Sequence, residues 1–187
     1  MVKDKLAIFD LDGTLFDTYP ANWLSYKTAL EEYGFKLPEQ YFRERCQGRY
    51  YREFLPPLLN GADEAVLQAV HQRKQTLYRT FLDRVRKNEH LFRFLETIRF
   101  EYATAIVTTA SRKNCAELLE YFNKTAYFDI VITREDVTKS KPDPEGFIKA
   151  MTHFGKTPEQ TVIFEDSPEG VTAATATGAS IFSVTQF

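Results

Sequence analysis

Leu6-Ala7-Ile8-Phe9-Asp10-Leu11-Asp12-Gly13-Thr14 is an apolar run of four that ends on two aspartates and a glycine. Consecutive apolar residues without polar alternation predict a strand buried on both faces, as in a parallel sheet. Gly13 marks a tight turn out of it. Similar short runs recur at residues 103–107, 128–132, 162–164 and 181–184. Helical patterns at 89–99, 113–122, 145–154 and 169–177 alternate with them, with Gly155 and Gly178 as stops. Strands alternating with amphipathic helices predict an α/β fold with a doubly wound, Rossmann-like parallel sheet.

Between residues 20 and 85 every pattern is helical. Trp23, Tyr26, Leu30 and Tyr33 recur at three and four residues between Pro20 and Gly34. Pro38 opens a second helix that ends near Gly48, and a short one covers 51–59. A long one starts near Asp63 and carries the stripe Val66, Leu67, Val70, Leu77, Tyr78, Phe81, Leu82 and Val85. The expected organisation is an α/β core of residues 1–16 and 86–187 with an all-helical insertion at 17–85.

Composition narrows the function classes. Among 187 residues, 24 Lys+Arg against 26 Asp+Glu leave a net charge of -2, so there is no basic surplus for nucleic acid. No apolar run approaches the ~20 residues of a membrane span, and residues 1–11 do not read as a signal peptide. Cys46 and Cys115 have no metal-ligand spacing; free thiols in a reducing cytoplasm are the expectation. The 16 Phe and 10 Tyr are expected mostly in cores.

In open parallel sheets, ligands gather at the carboxyl ends of the strands. Those ends carry Asp10 and Asp12, Thr108-Thr109-Ala110-Ser111, and Glu165-Asp166-Ser167; Lys141-Pro142-Asp143-Pro144 follows the third strand. Clustered carboxylates repel one another unless a cation joins them. An all-oxygen set without His or Cys selects a hard ion such as Mg²⁺. With a lysine and hydroxyl groups for the transferring oxygens, the set suits phosphoryl transfer. One of the two aspartates at i and i+2 can attack phosphorus while the other handles protons; spacing alone does not order them.

Asp10-Leu11-Asp12-Gly13-Thr14-Leu15-Phe16-Asp17 resembles the first motif of the haloacid dehalogenase-like superfamily. Thr108 after Ala105-Ile106-Val107, Lys141 in Lys141-Pro142-Asp143-Pro144, and Glu165-Asp166-Ser167 with Gly170 resemble its other three, in order. The helical insertion resembles the cap of the subfamily that includes phosphoglycolate phosphatases and β-phosphoglucomutases. The resemblance implies Asp10 as nucleophile and metal ligand, and Asp12 as general acid/base with its carbonyl on the metal. It implies Thr108, Thr109 and Lys141 for the phosphoryl group, and Asp166 with Glu165 completing the Mg²⁺ site. Where one version of the last motif has a further Asp, this chain has Gly170. Asp12 favours phosphate chemistry over dehalogenation, whose enzymes lack that aspartate.

The implied function is hydrolysis of a small phosphate monoester through an aspartyl-phosphate, by a monomer or homodimer whose cap closes over its substrate. A sugar phosphomutase shares the first half-reaction. A phosphorylation-switched signalling module carries similar residues but not the long helical insertion. A non-catalytic relative would not need Asp10, Asp12, Lys141 and Asp166 intact. Plainer readings fit other residues: Ser111 as a helix N-cap, Glu169 as first-turn charge, and His71, His90 and His153 as packing or surface residues. Arg45, Arg49 and Arg52 flank Gly48; Arg49 and Arg52 are the candidates for a second anionic group on the substrate, against a solvated basic face.

Overall fold

The computed structural model describes residues 3–47, 49–185 and 187. In chain order the elements are β1 (Lys5–Phe9), β2 (Phe16–Asp17), α1 (Tyr19–Glu32), α2 (Glu39–Arg45), α3 (Tyr51–Leu58), α4 (Glu64–Tyr78), β3 (Arg86–Lys87), α5 (Glu89–Ile98), β4 (Tyr102–Val107), α6 (Arg112–Tyr121), β5 (Ile130–Ile132), α7 (Glu145–Phe154), β6 (Thr161–Glu165), α8 (Pro168–Thr175) and β7 (Ser180–Ser183). Its contacts divide the chain into two compact units, Met1–Asp17 with Arg86–Phe187, and Thr18–Val85.

The larger unit is a five-stranded parallel sheet in the order β5-β4-β1-β6-β7. β1 is central. The chain first builds outward on one side of it through β4 and β5, then on the other through β6 and β7. The carboxyl end of β1 therefore stands where strand order reverses, which is where open α/β sheets bind ligands. Leu6 and Ile8 point to one face with Ala103, Ala105 and Ile163, against Phe147, Ala150 and Met151 of α7 and Ala173 and Ala174 of α8. On the other face Phe9 stacks on Phe164 at 4.7 Å and Phe164 on Phe182 at 5.4 Å, with Phe94 of α5 against Phe164. Offset aromatic stacks add to area burial, so the strands are held from both sides.

The smaller unit is helical. Its core gathers Tyr26, Ala29 and Leu30 of α1 with Phe42, Phe54, Leu55, Leu67 and Val70. Asp63 caps α4 by accepting from the Val66 amide at 2.9 Å. His71 stacks on Tyr51 at 3.6 Å and meets the Tyr26 hydroxyl at 3.2 Å; burial pushes its pKa down to about 4. Both cysteines are buried and free. Among the described residues no helix is long and apolar enough to cross a membrane.

Several expected boundaries move, each for a local reason. The run at 128–132 pairs only from Ile130, because a 3₁₀ turn at Thr125–Tyr127 precedes it and the Asp129 carboxylate takes the Thr104 amide at 2.9 Å. The apolar stripe of 63–85 is one α-helix only to Tyr78 and continues as 3₁₀ through Arg79–Arg84. Asp17 stands with the sheet unit, not with the helices, because β2 and β3 pair and its carboxylate takes Arg86 at 2.7 Å. Gly48, expected to end the second helix, lies outside the described residues.

Candidate active site

The loop after β1 is built by a tight backbone turn. The amides of Leu15 and Phe16 donate to the Leu11 carbonyl, and the Gly13 amide to the Phe16 carbonyl. Gly13 has φ +94°, and a Cβ there would stand 2.1 Å from Asp166 Oδ2, so both conformation and space demand glycine. The Asn88 side chain and amide hold the loop from below, donating to the carbonyls of Thr14 at 3.2 Å and Leu15 at 2.9 Å.

This turn brings Asp10 to the carboxylates after β6. Asp10, Glu165 and Asp166 each present a carboxylate oxygen within 4.8 Å of the other two. Lys141 Nζ lies 2.5 Å from Asp10 Oδ1 and 2.5 Å from Glu165 Oε2. The other oxygen of Glu165 accepts from the Ser167 hydroxyl at 2.9 Å and the Asp166 and Ser167 amides at 3.2 Å. Asp166 Oδ1 accepts from the buried Thr14 hydroxyl at 2.8 Å. The Thr108 hydroxyl accepts from the Ala110 amide at 3.0 Å and donates to Asp12 Oδ2 at 3.4 Å.

The electrostatics follow from burial. Burial, then the Glu165 charge, raises the Asp10 carboxyl well above its usual range, and Lys141 only partly opposes this. Burial also works against the Lys141 charge, but Asp10 and Glu165 outweigh it and hold the ammonium up. Burial raises Asp166 to about 6. When ionised, the three clustered carboxylates outnumber the one ammonium and leave an excess of negative charge. That excess, offered by oxygen donors alone, suits a hard divalent cation such as Mg²⁺. Asp10, Glu165 and Asp166 are the side chains that could hold one.

The structure thus gathers Asp10, Asp12, Thr108, Lys141, Glu165 and Asp166, and Thr109 is half-buried directly after Thr108. Arg49 and Arg52 belong to the helical unit. Both are exposed, and Arg52 pairs with Glu64 at 2.5 Å. Ser111 caps α6 through the Asn114 amide, and Glu169 is an exposed first-turn charge of α8. Thr14, Asn88 and Ser167 were not singled out from sequence. Thr14 and Ser167 hydrogen-bond Asp166 and Glu165, and Asn88 holds the loop after β1, contacts that no spacing signals; the N-cap position of Ser167 was the available hint.

Comparison with known proteins identifies the family. The family model for haloacid dehalogenase-like hydrolases matches residues 7–184. A phosphorylated-carbohydrate phosphatase of Thermotoga maritima is 32% identical over 177 residues, covering 91% of this chain and 80% of that protein. The pyrophosphatase PpaX of Bacillus cereus is 27% identical, covering 98% of this chain and 84% of that protein. CbbY of Rhodobacter sphaeroides, solved with phosphate, shares the fold at a TM-score of 0.87 and 21% identity, covering 100% of this chain and 88% of that one. With the family model spanning nearly its whole length, the chain belongs to the haloacid dehalogenase-like hydrolase family.

Proposed function

We propose that the chain is a Mg²⁺-dependent hydrolase of small phosphate monoesters acting through an aspartyl-phosphate on Asp10. The observation that carries the reading is the contact of Lys141 with both Asp10 and Glu165 inside a cluster completed by Asp166. When bound, the divalent ion offsets repulsion between the carboxylates and the phosphoryl oxygens. Lys141 and Thr108 orient those oxygens, with Thr109 beside them. Asp10 attacks phosphorus as the bond to the leaving oxygen breaks, and Asp12 delivers a proton to that oxygen. Asp12 then takes a proton from the attacking water, whose oxygen joins phosphorus as the Asp10–phosphorus bond breaks. Inorganic phosphate leaves and Asp10 is regenerated.

A small phosphorylated metabolite is the proposed substrate, with Arg49 and Arg52 reading a second anionic group on it. Two free buried thiols fit a reducing cytoplasm. The name of the 32% identical relative supports hydrolysis over transfer to a sugar hydroxyl. The test is inorganic phosphate release from a panel of small phosphate esters, with Mg²⁺ and with EDTA. Metal-dependent release is the expected result. Labelling of Asp10 by a phosphodonor without release from any ester would replace hydrolysis by phosphoryl transfer.

A further inference from the structure

The carboxylate cluster holds a cation of its own. Lys141, Asp10 and Glu165 have side chains only 7%, 8% and 1% exposed, so water screens their mutual interaction poorly. Two of the three ammonium N–H bonds are directed at two of the three clustered carboxylates. The third carboxylate, Asp166, has the neutral Thr14 hydroxyl instead. A divalent ion placed on Asp10 and Glu165 therefore meets a positive charge that already sits on both of them. An anionic phosphoryl group accepting from the remaining N–H draws that charge away from the carboxylates.

We propose that Lys141 is the resting counter-ion of the cluster. It lowers the affinity of Asp10, Glu165 and Asp166 for a divalent cation until an anionic phosphoryl group shares its ammonium. Ion and phosphate ester consequently assist each other's binding, by the same factor in either order. This inference rests on the divalent-ion reading of the cluster.

The test measures Mn²⁺ affinity by electron paramagnetic resonance of the free ion, in phosphate-free buffer. Wild type is compared with Lys141→Met, Lys141→Gln and the charge-keeping Lys141→Arg, each checked for folding by circular dichroism. Removing a buried unit charge at this range tightens Mn²⁺ binding by about tenfold or more in the Met and Gln variants, and Arg stays near wild type. Inorganic phosphate tightens Mn²⁺ binding to wild type. Unchanged or weaker phosphate-free affinity in a folded neutral variant overturns the proposal, since a lysine serving phosphate alone leaves that affinity untouched. If neither neutral variant folds, wild type decides: Mn²⁺ affinity indifferent to phosphate overturns it. No Mn²⁺ binding by any form, wild type included, removes the divalent-ion reading itself.

Discussion

A Cβ on residue 170 would stand 2.0 Å from Glu165 Cδ and 2.2 and 2.3 Å from its two oxygens, so the bare glycine leaves the space that the acid occupies. Glu165 in turn is one of the two carboxylates that hold Lys141. Residue 170, without a side chain, thus governs where a buried lysine stands.

Gly170→Ala is expected to push Glu165 off Lys141. Overpacking of this kind costs about 1–3 kcal/mol, read as a lowered Tm. Turnover should fall with it. A variant with unchanged Tm and unchanged kcat would show that Glu165 does not depend on the space at 170.

Asp10→Asn removes the proposed nucleophile while keeping its shape. Lys141 retains Glu165, and a buried carboxyl held far above its usual range is replaced by a neutral amide. Phosphate release should drop by more than about 10³-fold with the Tm nearly unchanged. Substantial residual turnover would move the nucleophile elsewhere.

Asp12→Ala should lower turnover by about 10²–10⁴-fold, the usual contribution of a positioned acid/base. The loss should be smaller for esters with good leaving groups, such as aryl phosphates, because these need little protonation. Equal losses for alkyl and aryl esters would argue against a proton-transfer role.

The contribution of Asp166 to the stability of the EDTA-treated protein should fall as pH rises from about 4 through 6. Burial raises Asp166 to about 6 from an ordinary 3.8, so the folded state binds more protons than the unfolded state across that window. Protonated Asp166 is cheaper to bury than its ionised form, so ionisation removes that advantage, a loss of about 1–2 kcal/mol. Denaturant titrations at several pH values should show a flatter profile in Asp166→Asn. A profile as steep as wild type would assign the dependence to other groups.

Arg52→Ala separates binding from folding. Its ion pair with Glu64 joins side chains 41% and 55% exposed, so its loss should leave the Tm nearly unchanged. A rise in KM at near-constant Tm is expected if Arg52 meets the substrate. An unchanged KM would return it to the solvated basic face.

Much of this was legible in the residues. The apolar run 6–9 ending on Asp10, and the alternation of short strands with helices, determine a parallel sheet, because buried strands must be apolar on both faces. Glycine and proline set the ends of α7 at Pro144 and Gly155 because they restrict or free the backbone locally. The chemical types of Asp10, Asp12, Lys141, Glu165 and Asp166 likewise pointed to a cluster of oxygen donors around one lysine. Local signals could not decide which of these groups touch. Lys141 lies 131 positions from Asp10 and 24 from Glu165, and only the strand order around β1 brings them together. The Thr14 hydroxyl on Asp166 spans 152 positions for the same reason. Hydrogen bonds and excluded volume act over a few ångströms in space, so the need for glycine at 170 exists only once α8 has been laid beside the Glu165 carboxylate.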